Sequence, residues 1–332
     1  MTVVKIEVNT HSKNMLRMAQ EHPEILVMSA DLGSSCEVKE FQEQYPNRYF
    51  HMGIAEQNMC SWAAGMAREG FRPFIHTFGV FLYRRILDQL EMSVAYPNLP
   101  VVFMGFVPGI TTPGGVTHQS TNDVGVLRTV PNLAIFDIGD ATEIEGVLDM
   151  AYAYNGPVYI RMLRKEVPRL FPADEPIRFN HARVLSEGTD ITLLSSSICT
   201  EEAMRATAAL KAKGVSIQHL HVSTLKPFTD PQVVEACQKA KYGVITIENG
   251  TVIGGLGSAV ADLMAEHGIG KKLVKIGLQD TYAHGASKMY LLKKYGMDAM
   301  TLVGAVEKLL GKELQIREQD LEEIRFVDYS AV

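Results

Sequence analysis

Apolar residues along the chain fall into short, nearly continuous runs that are separated by stretches with helical spacing. In the first half, five such runs are bounded by turn residues and cover residues 25–31, 72–78, 100–106, 133–139 and 157–163. Runs of this length, rich in Val, Ile and Phe, predict strands that are buried on both faces. The stretches between them predict helices, because apolar residues recur there every three or four positions. This alternation predicts an α/β fold with a doubly wound, mostly parallel sheet.

Two of the predicted helices present continuous apolar faces. The first face consists of Ala55, Met59, Trp62 and Met66, and the second of Leu82, Ile86, Leu90 and Val94. On the first helix, Glu56 lies about 100° away from the apolar face, on a side that carries small residues. Small side chains there would allow another helix or another subunit to approach closely.

The alternation restarts after a segment of different character. Residues 165–188 hold three prolines, many charges and little periodicity, which is typical of a linker. Beyond it, the pattern predicts strands at residues 190–196, 215–222 and 242–248 and helices at 201–213 and 231–239. We therefore predict two doubly wound domains, at residues 1–168 and 189–332, joined by a linker at 169–188.

Composition and charge then narrow the class of protein. The chain has 332 residues, of which 46% are apolar and 21% charged, as in globular proteins. Its formal net charge of −6 provides no general attraction to nucleic acid, and no apolar run approaches the roughly 20 residues of a membrane span. The start of the chain lacks the features of a secretion signal, and four cysteines without CxxC spacing predict neither disulfides nor a zinc site. We expect a soluble, cytoplasmic protein that binds neither nucleic acid nor a membrane.

Functional residues are expected at one edge of the first sheet. In open parallel sheets, ligands bind at the carboxyl ends of the strands. This rule places residues 31–35, 76–81, 105–118 and 161–164 on one rim. Candidate residues for chemistry occur in or next to these segments, and each also has an ordinary structural explanation.

Glu56 and two aromatic residues form the first candidates. Glu56 can compensate the dipole at a helix start, but burial among neighbouring Met and Trp side chains would raise its pKa and let it hold a proton. Phe78 and Phe81 can be core residues, or they can be a stacking platform for a flat heteroaromatic ligand with a carboxylate at its edge.

A glycine-rich loop and an arginine pair form the second set. The loop PGITTPGGVTHQ has no nucleotide-binding glycine pattern and is typical of a substrate rim. Its His118 can be a surface or capping residue, or an acid–base group near neutrality. Arg161 and Arg164 can form ion pairs at the linker, or they can capture an anionic substrate group.

These pieces together resemble the C-terminal half of transketolase and of its relatives, deoxyxylulose-phosphate synthase and the beta subunits of pyruvate-type dehydrogenases. The matching motifs occur in order along nearly the whole chain: SADL, HMGIAEQ, TFxxF, THQ, LRTVPN, PVYIRMLR, LKPF and ENGTVIGGLGSAV. Each motif alone is a weak signal, but their occurrence in the same order makes coincidence improbable.

The resemblance implies cofactor-binding roles for four residues. Glu56 matches the glutamate that pairs with the aminopyrimidine of thiamine diphosphate, which favours the imino tautomer that removes the thiazolium proton. Phe81 matches the ring that stacks on the pyrimidine, and Phe78 matches the pocket wall beside it. Asp31 matches an aspartate near the cofactor and the subunit interface.

The resemblance also implies contacts with a substrate. His118 matches the histidine that contacts the ketose and its intermediate. Ser35 and Arg164 match positions that hold the substrate phosphate, and Arg161 together with Arg164 is similar to the synthase. Glu56 and His118 are thus the expected catalytic residues, and no metal ligand is expected on this chain.

The sequence differs from the family pattern at two positions and lacks the motifs of the family's N-terminal half. Full transketolases carry a histidine twelve residues before the THQ histidine and an aspartate four residues before it, where this chain has Phe106 and Gly114. The sugar is therefore expected to be branched, shortened or differently charged. The GDG motif and later asparagine that hold the diphosphate and Mg²⁺ in the family are missing, and Gly139-Asp140-Ala141 is the nearest string.

We therefore predict the C-terminal subunit of a split transketolase, which transfers a two-carbon ketol unit from a ketose phosphate to an aldose. A companion N-terminal subunit would hold the diphosphate and Mg²⁺ within a dimer of heterodimers. Two alternatives stay open: a thiamine enzyme of the synthase or dehydrogenase beta-subunit type, and a non-catalytic scaffold. In the second domain, GGLGS at residues 254–258 fits either tight packing or anion binding, and Glu248, Asn249 and His284 receive no role.

Overall fold

The computed structural model describes residues 4–324 and 326, which form two units that each contain a mostly parallel sheet. The strands are β1 (Ile6–Val8), β2 (Ile25–Ser29), β3 (Tyr49–His51), β4 (Arg72–Phe78), β5 (Val102–Phe106), β6 (Ala134–Asp137), β7 (Val158–Met162), β8 (Glu166–Pro168), β9 (Arg183–Ser186), β10 (Ile191–Ser195), β11 (Ile217–His221), β12 (Thr224–Lys226), β13 (Gly243–Thr251) and β14 (Leu273–Leu278). The helices are α1 (Thr10–Glu21), α2 (Lys39–Gln44), α3 (Glu56–Arg68), α4 (Gly79–Arg84), α5 (Leu87–Gln89), α6 (Asp123–Leu127), α7 (Ala141–Ala153), α8 (Cys199–Ala212), α9 (Pro231–Lys239), α10 (Leu256–Glu266), α11 (Lys288–Lys294), α12 (Ala299–Leu310) and α13 (Glu318–Glu322). The predicted outer domain limits, residues 1 and 332, lie outside the described residues.

The first unit is built on a seven-stranded sheet with the order β12-β6-β7-β5-β4-β2-β3. All neighbouring strands are parallel except β12, which runs antiparallel to β6. Each strand predicted for this unit is present, with ends that differ by at most two residues. Strands β2, β5 and β7 are buried along their whole length, as continuous apolar runs predict. The predicted α/β class is confirmed.

The register of this sheet brings four strand ends side by side. Ser29 of β2 lies opposite both His51 of β3 and His76 of β4, and Phe78 at the end of β4 lies opposite Phe106 of β5. Strand β7 follows next to β5 in the same direction. The carboxyl ends of these strands therefore form the rim that the sequence predicts.

The helices confirm one predicted apolar face and correct the other. Leu82, Ile86, Leu90 and Val94 are all fully buried, although the segment is divided into α4, α5 and a π-helical turn at Leu90–Ala95. On α3, the predicted face is wrong, because Trp62 is 49% exposed. The buried side carries Glu56, Met59, Cys60, Ala63, Ala64 and Ala67. Their small side chains let α3 pack closely against β4 and the π-helical turn.

The second unit is built on a five-stranded sheet with the order β14-β13-β10-β11-β9, in which β9 alone is antiparallel to its neighbour. Two short strands pair in ways that periodicity does not predict. Strand β9 lies within the predicted linker yet forms an edge of the second sheet, and β12, which contains part of LKPF, joins the first sheet. Within residues 4–324 and 326, none of the helices has the length and apolar character needed to cross a membrane.

Candidate active site

Glu56 begins α3 and is held in a nearly dry position at the rim. Its side chain is 4% exposed, and its Oε1 accepts a hydrogen bond of 2.6 Å from Nη1 of Arg85. Arg85 follows α4 directly and is 43% exposed, so the ion pair joins a buried carboxylate to a cation that reaches solvent. A carboxylate placed in this way stays accessible to a ligand that can replace the arginine.

Phe78 and Phe81 supply an aromatic surface beside this carboxylate. Phe78 ends β4 and Phe81 lies in the first turn of α4, so the turn from strand to helix brings both rings to the rim. Their ring centroids are 6.0 Å apart and the ring planes differ by 22°. The guanidinium of Arg85 lies over Phe81, with its Cζ 4.0 Å from the ring centroid. A flat cation thus already lies between an aromatic face and a buried carboxylate.

His118 reaches the same aromatic surface from the glycine-rich loop. Its ring meets Phe78 and Phe81 edge-on, at centroid distances of 6.1 and 5.9 Å and interplanar angles of 66° and 70°. The Oγ1 of Thr117 lies 2.9 Å from Nδ1 of His118, which fixes one nitrogen and leaves Nε2 for another partner. The loop therefore presents an imidazole to the space above the two phenylalanine rings.

Arg164 closes the other side of this space. It donates a hydrogen bond of 2.9 Å from Nη1 to the carbonyl oxygen of Ser35, and its Cζ lies 5.2 Å from the centroid of Phe78. The structure therefore brings together six residues, which we call the rim cluster: Glu56, Phe78, Phe81, Arg85, His118 and Arg164. Ser35 contacts the cluster through its backbone.

Asp31 lies on the rim but is paired separately. Its Oδ1 is 2.9 Å from Nε2 of His51, and both side chains are exposed. Its backbone φ of 58° is in the left-handed region, which is uncommon for a residue other than glycine. The Asp31–His51 pair projects into solvent at the ends of β2 and β3.

Arg161 does not reach the rim, and its prediction as a substrate ligand is corrected here. Its side chain is 2% exposed and forms ion pairs with Asp123 at 3.0 Å and with Asp137 at 2.9 Å. It also donates hydrogen bonds to the carbonyl oxygens of Ser120 and Asn249. Burial lowers the pKa of Arg161, but the two carboxylates outweigh this effect and raise it, so the guanidinium stays charged inside the protein. We call this group, which lies between the two domains, the domain seam.

The two departures from the family pattern have structural explanations. Phe106 is fully buried and packs edge-on against His11, which lies 3.1 Å from His76 through their Nε2 atoms. Burial lowers the pKa of His76 to about 4, so this pair is neutral and lies below the rim. At Gly114, a Cβ atom would approach the Cβ of His118 to 3.0 Å, so a side chain there would push the histidine.

Two segments that the sequence offers as possible anion sites, around Asp140 and at residues 254–258, make their contacts within the protein instead. Asp140, in the string nearest to GDG, is fully buried and accepts hydrogen bonds from the backbone N–H groups of Glu143 and Phe171, which makes it the N-cap of α7. At the start of α10, the carboxylate of Glu248 accepts from the N–H groups of Leu256 and Gly257, both at 2.8 Å. The GGLGS segment is therefore used for internal capping and packing.

Sequence reasoning missed two residues of this region. Arg85 stands in the double arginine that follows the predicted aromatic platform, and His51 stands at the start of the HMGIAEQ motif. Each stands within a motif that carries the family resemblance or close to one. Nothing in the local pattern, however, distinguishes Arg85 from its neighbour Arg84.

Comparison with known proteins identifies the family. The model of the transketolase pyrimidine binding domain matches residues 8–169, and the model of the transketolase C-terminal domain matches residues 180–302. A protein of Clostridium sp. (strain MSTE9), named 6-deoxy-6-sulfo-D-fructose transketolase subunit SqwH, is 36% identical over 91% of this chain and 93% of its own length. A putative transketolase C-terminal section of Methanocaldococcus jannaschii is 32% identical over 91% of this chain and 96% of its own length.

A solved structure shows the same architecture. It is described as "Split gene transketolase, inactive beta4 tetramer" and superposes with a TM-score of 0.82 at 35% identity. The superposition covers 91% of this chain and 97% of that chain.

Proposed function

The chain belongs to the transketolase family and corresponds to its C-terminal section, and we propose that it is the subunit of a split transketolase that binds the pyrimidine of thiamine diphosphate. The observation that carries this proposal is the rim cluster, in which a nearly buried Glu56 carboxylate lies beside the Phe78–Phe81 surface. Membership of the family implies dependence on thiamine diphosphate.

The residues of the rim cluster fit the cofactor's aminopyrimidine. Arg85 provides the test of fit: its flat guanidinium stacks on Phe81 and donates to Glu56. An aminopyrimidine is also flat and also presents nitrogen-bound hydrogens at one edge. The two protein groups are therefore suited to hold such a ring, by stacking on one side and by a carboxylate at the edge.

Glu56 and His118 are the residues to which we assign catalytic roles. When bound, thiamine diphosphate supplies a carbon nucleophile that can add to a ketose carbonyl. Glu56 would hold the pyrimidine edge through its carboxyl group, and its low exposure excludes water from that hydrogen bond. His118 would move a proton at the sugar, and general acid–base help of this type typically contributes about 10²- to 10⁴-fold to a rate.

The charges around the cluster favour an anionic sugar. Arg164 is held against Phe78 by stacking and by the Ser35 carbonyl, so its remaining N–H groups can contact a terminal phosphate or a similar group. The name of one relative specifies a ketose that carries a sulfonate. We propose that the ketol donor of this protein is a ketose phosphate or another ketose with a terminal anion.

The missing half of the cofactor site indicates a companion chain. The sequence has no GDG motif, and Asp140 is used as a helix cap, so we propose that a separate N-terminal subunit holds the diphosphate and Mg²⁺. A dimer of heterodimers is the expected assembly, and the relative described as an inactive beta4 tetramer supports self-association of such a subunit. The four cysteines are free and buried, which supports the cytoplasm as the compartment.

The test is the Glu56→Gln variant, assayed together with the companion chain. The amide keeps the size of the side chain but cannot carry the negative charge, so turnover should be almost abolished while the thermal midpoint and circular dichroism stay close to those of the wild type. Glu235→Gln is a matched control, because Glu235 is exposed on α9 of the second unit and pairs with Lys239. Full activity of Glu56→Gln would refute the proposal.

The donor used distinguishes the alternatives. Consumption of hydroxypyruvate with an aldose acceptor indicates a transketolase, whereas consumption of pyruvate indicates a synthase or a dehydrogenase beta subunit. Burial of Arg161 weakens the alternative of a synthase, since its similarity to that branch rested on Arg161 and Arg164 together. If no companion confers binding of thiamine diphosphate, the protein is a scaffold.

A further inference from the structure

The loop that carries His118 is attached to the second domain near both of its ends. We call residues 107–119 the His118 loop. It leaves β5 in the first domain and returns to the first domain before α6. The loop is long for a segment that must present one imidazole in a fixed place, and from the first domain Arg84 contacts it by donating to the carbonyl oxygen of Val116 at 3.1 Å.

Asn249 of β13 makes the first attachment. It is fully buried, its Oδ1 accepts from the N–H of Ile110 at 3.0 Å, and its Nδ2 donates to the carbonyl oxygen of Pro108 at 3.1 Å. The side chain of Ile110 is fully buried in the core of the second domain, with Ile247 and Leu278. The start of the loop is thus held by both hydrogen-bonding groups of the Asn249 amide and by the buried side chain of Ile110.

The second attachment lies next to His118 itself. Nε2 of Gln119 donates to the carbonyl oxygen of His284 at 3.3 Å. Gly285 packs so closely on the loop that a Cβ atom there would lie 2.6 Å from the carbonyl oxygen of Pro113. The second domain therefore contacts the loop on both sides of the glycine-rich segment.

The backbone at the first attachment is strained. Val107 has a φ of 53° and Gly109 a φ of 55°, and a β-branched residue such as valine adopts the left-handed region at an energetic cost. Such a conformation persists when neighbouring groups hold it in place. Here the amide of Asn249 bonds to residues on both sides of Gly109.

From these contacts we infer that Asn249 is a positioning residue, through which the second domain sets the place of the His118 imidazole over the phenylalanine rings. The inference rests on the proposed function, since it is for ketol transfer that His118 has to be placed. It gives the second domain a part in the reaction besides that of supporting the fold.

The experiment compares Asn249→Ala with Arg128→Ala in the complex with the companion chain. Arg128 also crosses the domain boundary, but its hydrogen bonds go to Gly254, at 2.9 Å, Gly255 and Asp262, which lie outside the His118 loop. Hydrogen exchange of the loop amides should rise at least about tenfold in Asn249→Ala and stay at the wild-type rate in Arg128→Ala. The value of kcat should fall about tenfold or more in Asn249→Ala with a smaller change in KM, because a misplaced acid–base group affects the reacting complex.

A second variant covers the case in which Asn249→Ala fails to fold. Gly285→Ala adds one methyl group at an exposed position, pushes against Pro113 and removes no buried group, so it should also raise loop exchange and lower kcat. Equal loop exchange in Asn249→Ala and Arg128→Ala, or equal loss of kcat at equal loss of stability, would overturn the inference. Loop exchange needs no substrate, so its outcome is separate from that of Glu56→Gln, which tests the proposed function.

Discussion

Arg161 and Arg164 are close neighbours at the end of β7, yet they meet opposite surroundings. Arg161 belongs to the domain seam, where two carboxylates and two carbonyl oxygens occupy its guanidinium. Arg164 belongs to the rim cluster, where it stacks on Phe78 and gives one hydrogen bond to Ser35. In the seam the guanidinium is buried and pairs with two buried carboxylates, whereas the arginines of the rim are partly exposed and have fewer partners within the protein.

The comparison shows that the role of a charged side chain depends on its burial and on how many of its hydrogen-bonding groups already have partners. Residue type alone does not determine it. A buried cation with a full set of partners has no hydrogen-bond donors left for a ligand, and removing it leaves carboxylates unpaired. A cation held on one side by a ring can rotate its other N–H groups toward a substrate at little cost. The seam thus contributes to the association of the domains, and the rim is the surface on which a ligand can act.

The largest effect is expected from Arg161→Met, compared with Arg164→Met. Loss of Arg161 leaves Asp123 and Asp137 buried without their cation, which should lower the free energy of unfolding by about 3 to 5 kcal/mol. Loss of Arg164 should change stability by less than about 1 kcal/mol and should raise KM for an anionic donor. Urea unfolding of the purified chain measures the first quantity, and initial rates with the companion chain measure the second.

A triple variant checks the reason for this difference. Arg161→Met combined with Asp123→Asn and Asp137→Asn removes the unpaired charges and should recover much of the lost stability. If Arg161→Met alone were as stable as Arg164→Met, the distinction between seam and rim would be wrong.

Buried histidines extend the comparison of buried and exposed charges, because they make the free energy of unfolding depend on pH. Burial lowers the pKa of His76 to about 4 and that of His219 to about 3, whereas the unfolded chain takes up these protons near pH 6.5. The unfolded state therefore binds more protons below pH 6.5, and stability falls as the pH decreases, by about 1.4 kcal/mol per pH unit for each such histidine. This contribution is fully present above pH 6.5 and is lost progressively down to the pKa values of the folded state.

Urea titrations between pH 7 and pH 4.5 measure this slope. His219→Gln should reduce it by the share of one histidine, and the double variant with His76→Gln should reduce it by the share of two. A slope that neither substitution changes would show that these side chains are not the source.

The fold was largely predictable from the sequence because strands buried on both faces leave continuous apolar runs. The face of α3 was predicted wrongly, because periodicity favoured Trp62, while the small residues beside Glu56 are what allow close packing. The pairing of β12 with the first sheet depends on contacts between residues far apart in the chain, and no local pattern encodes it.

Five of the six residues of the rim cluster were predicted from the sequence, but their contacts were not. Phe78, Phe81 and Arg164 lie at or just after strand ends, Glu56 and His118 lie in the segments that follow β3 and β5, and the topology of a parallel sheet brings such segments together. The place of Arg161 could not be predicted, since its charge partners come from other elements. The contacts of Arg85 and of Asn249 are likewise visible only once the chain is folded.

The smallest effect is expected from Arg85→Ala. This variant tests whether a bound ligand displaces the Arg85 side chain from the rim cluster. Arg85 stacks on Phe81 and pairs with Glu56, which are the two groups proposed to hold the pyrimidine. A bound pyrimidine must therefore displace this guanidinium, which forfeits one partly exposed ion pair and one stacking contact. Each is worth about 0.5 to 1 kcal/mol, so Arg85→Ala should tighten binding of thiamine diphosphate by about 1 to 2 kcal/mol, which is roughly 5- to 30-fold.

Equilibrium dialysis of thiamine diphosphate against the assembled complex measures this change, and Arg84→Ala is the matched control. It removes the same charge one residue earlier, where the guanidinium donates to Val116 and Tyr83 and not to Glu56. Tighter binding in Arg85→Ala alone would show that Arg85 occupies the place of the ligand. Weaker binding in Arg85→Ala would show instead that the arginine stays in the site and holds the cofactor, and the rim would then resemble the seam more than its exposure suggests.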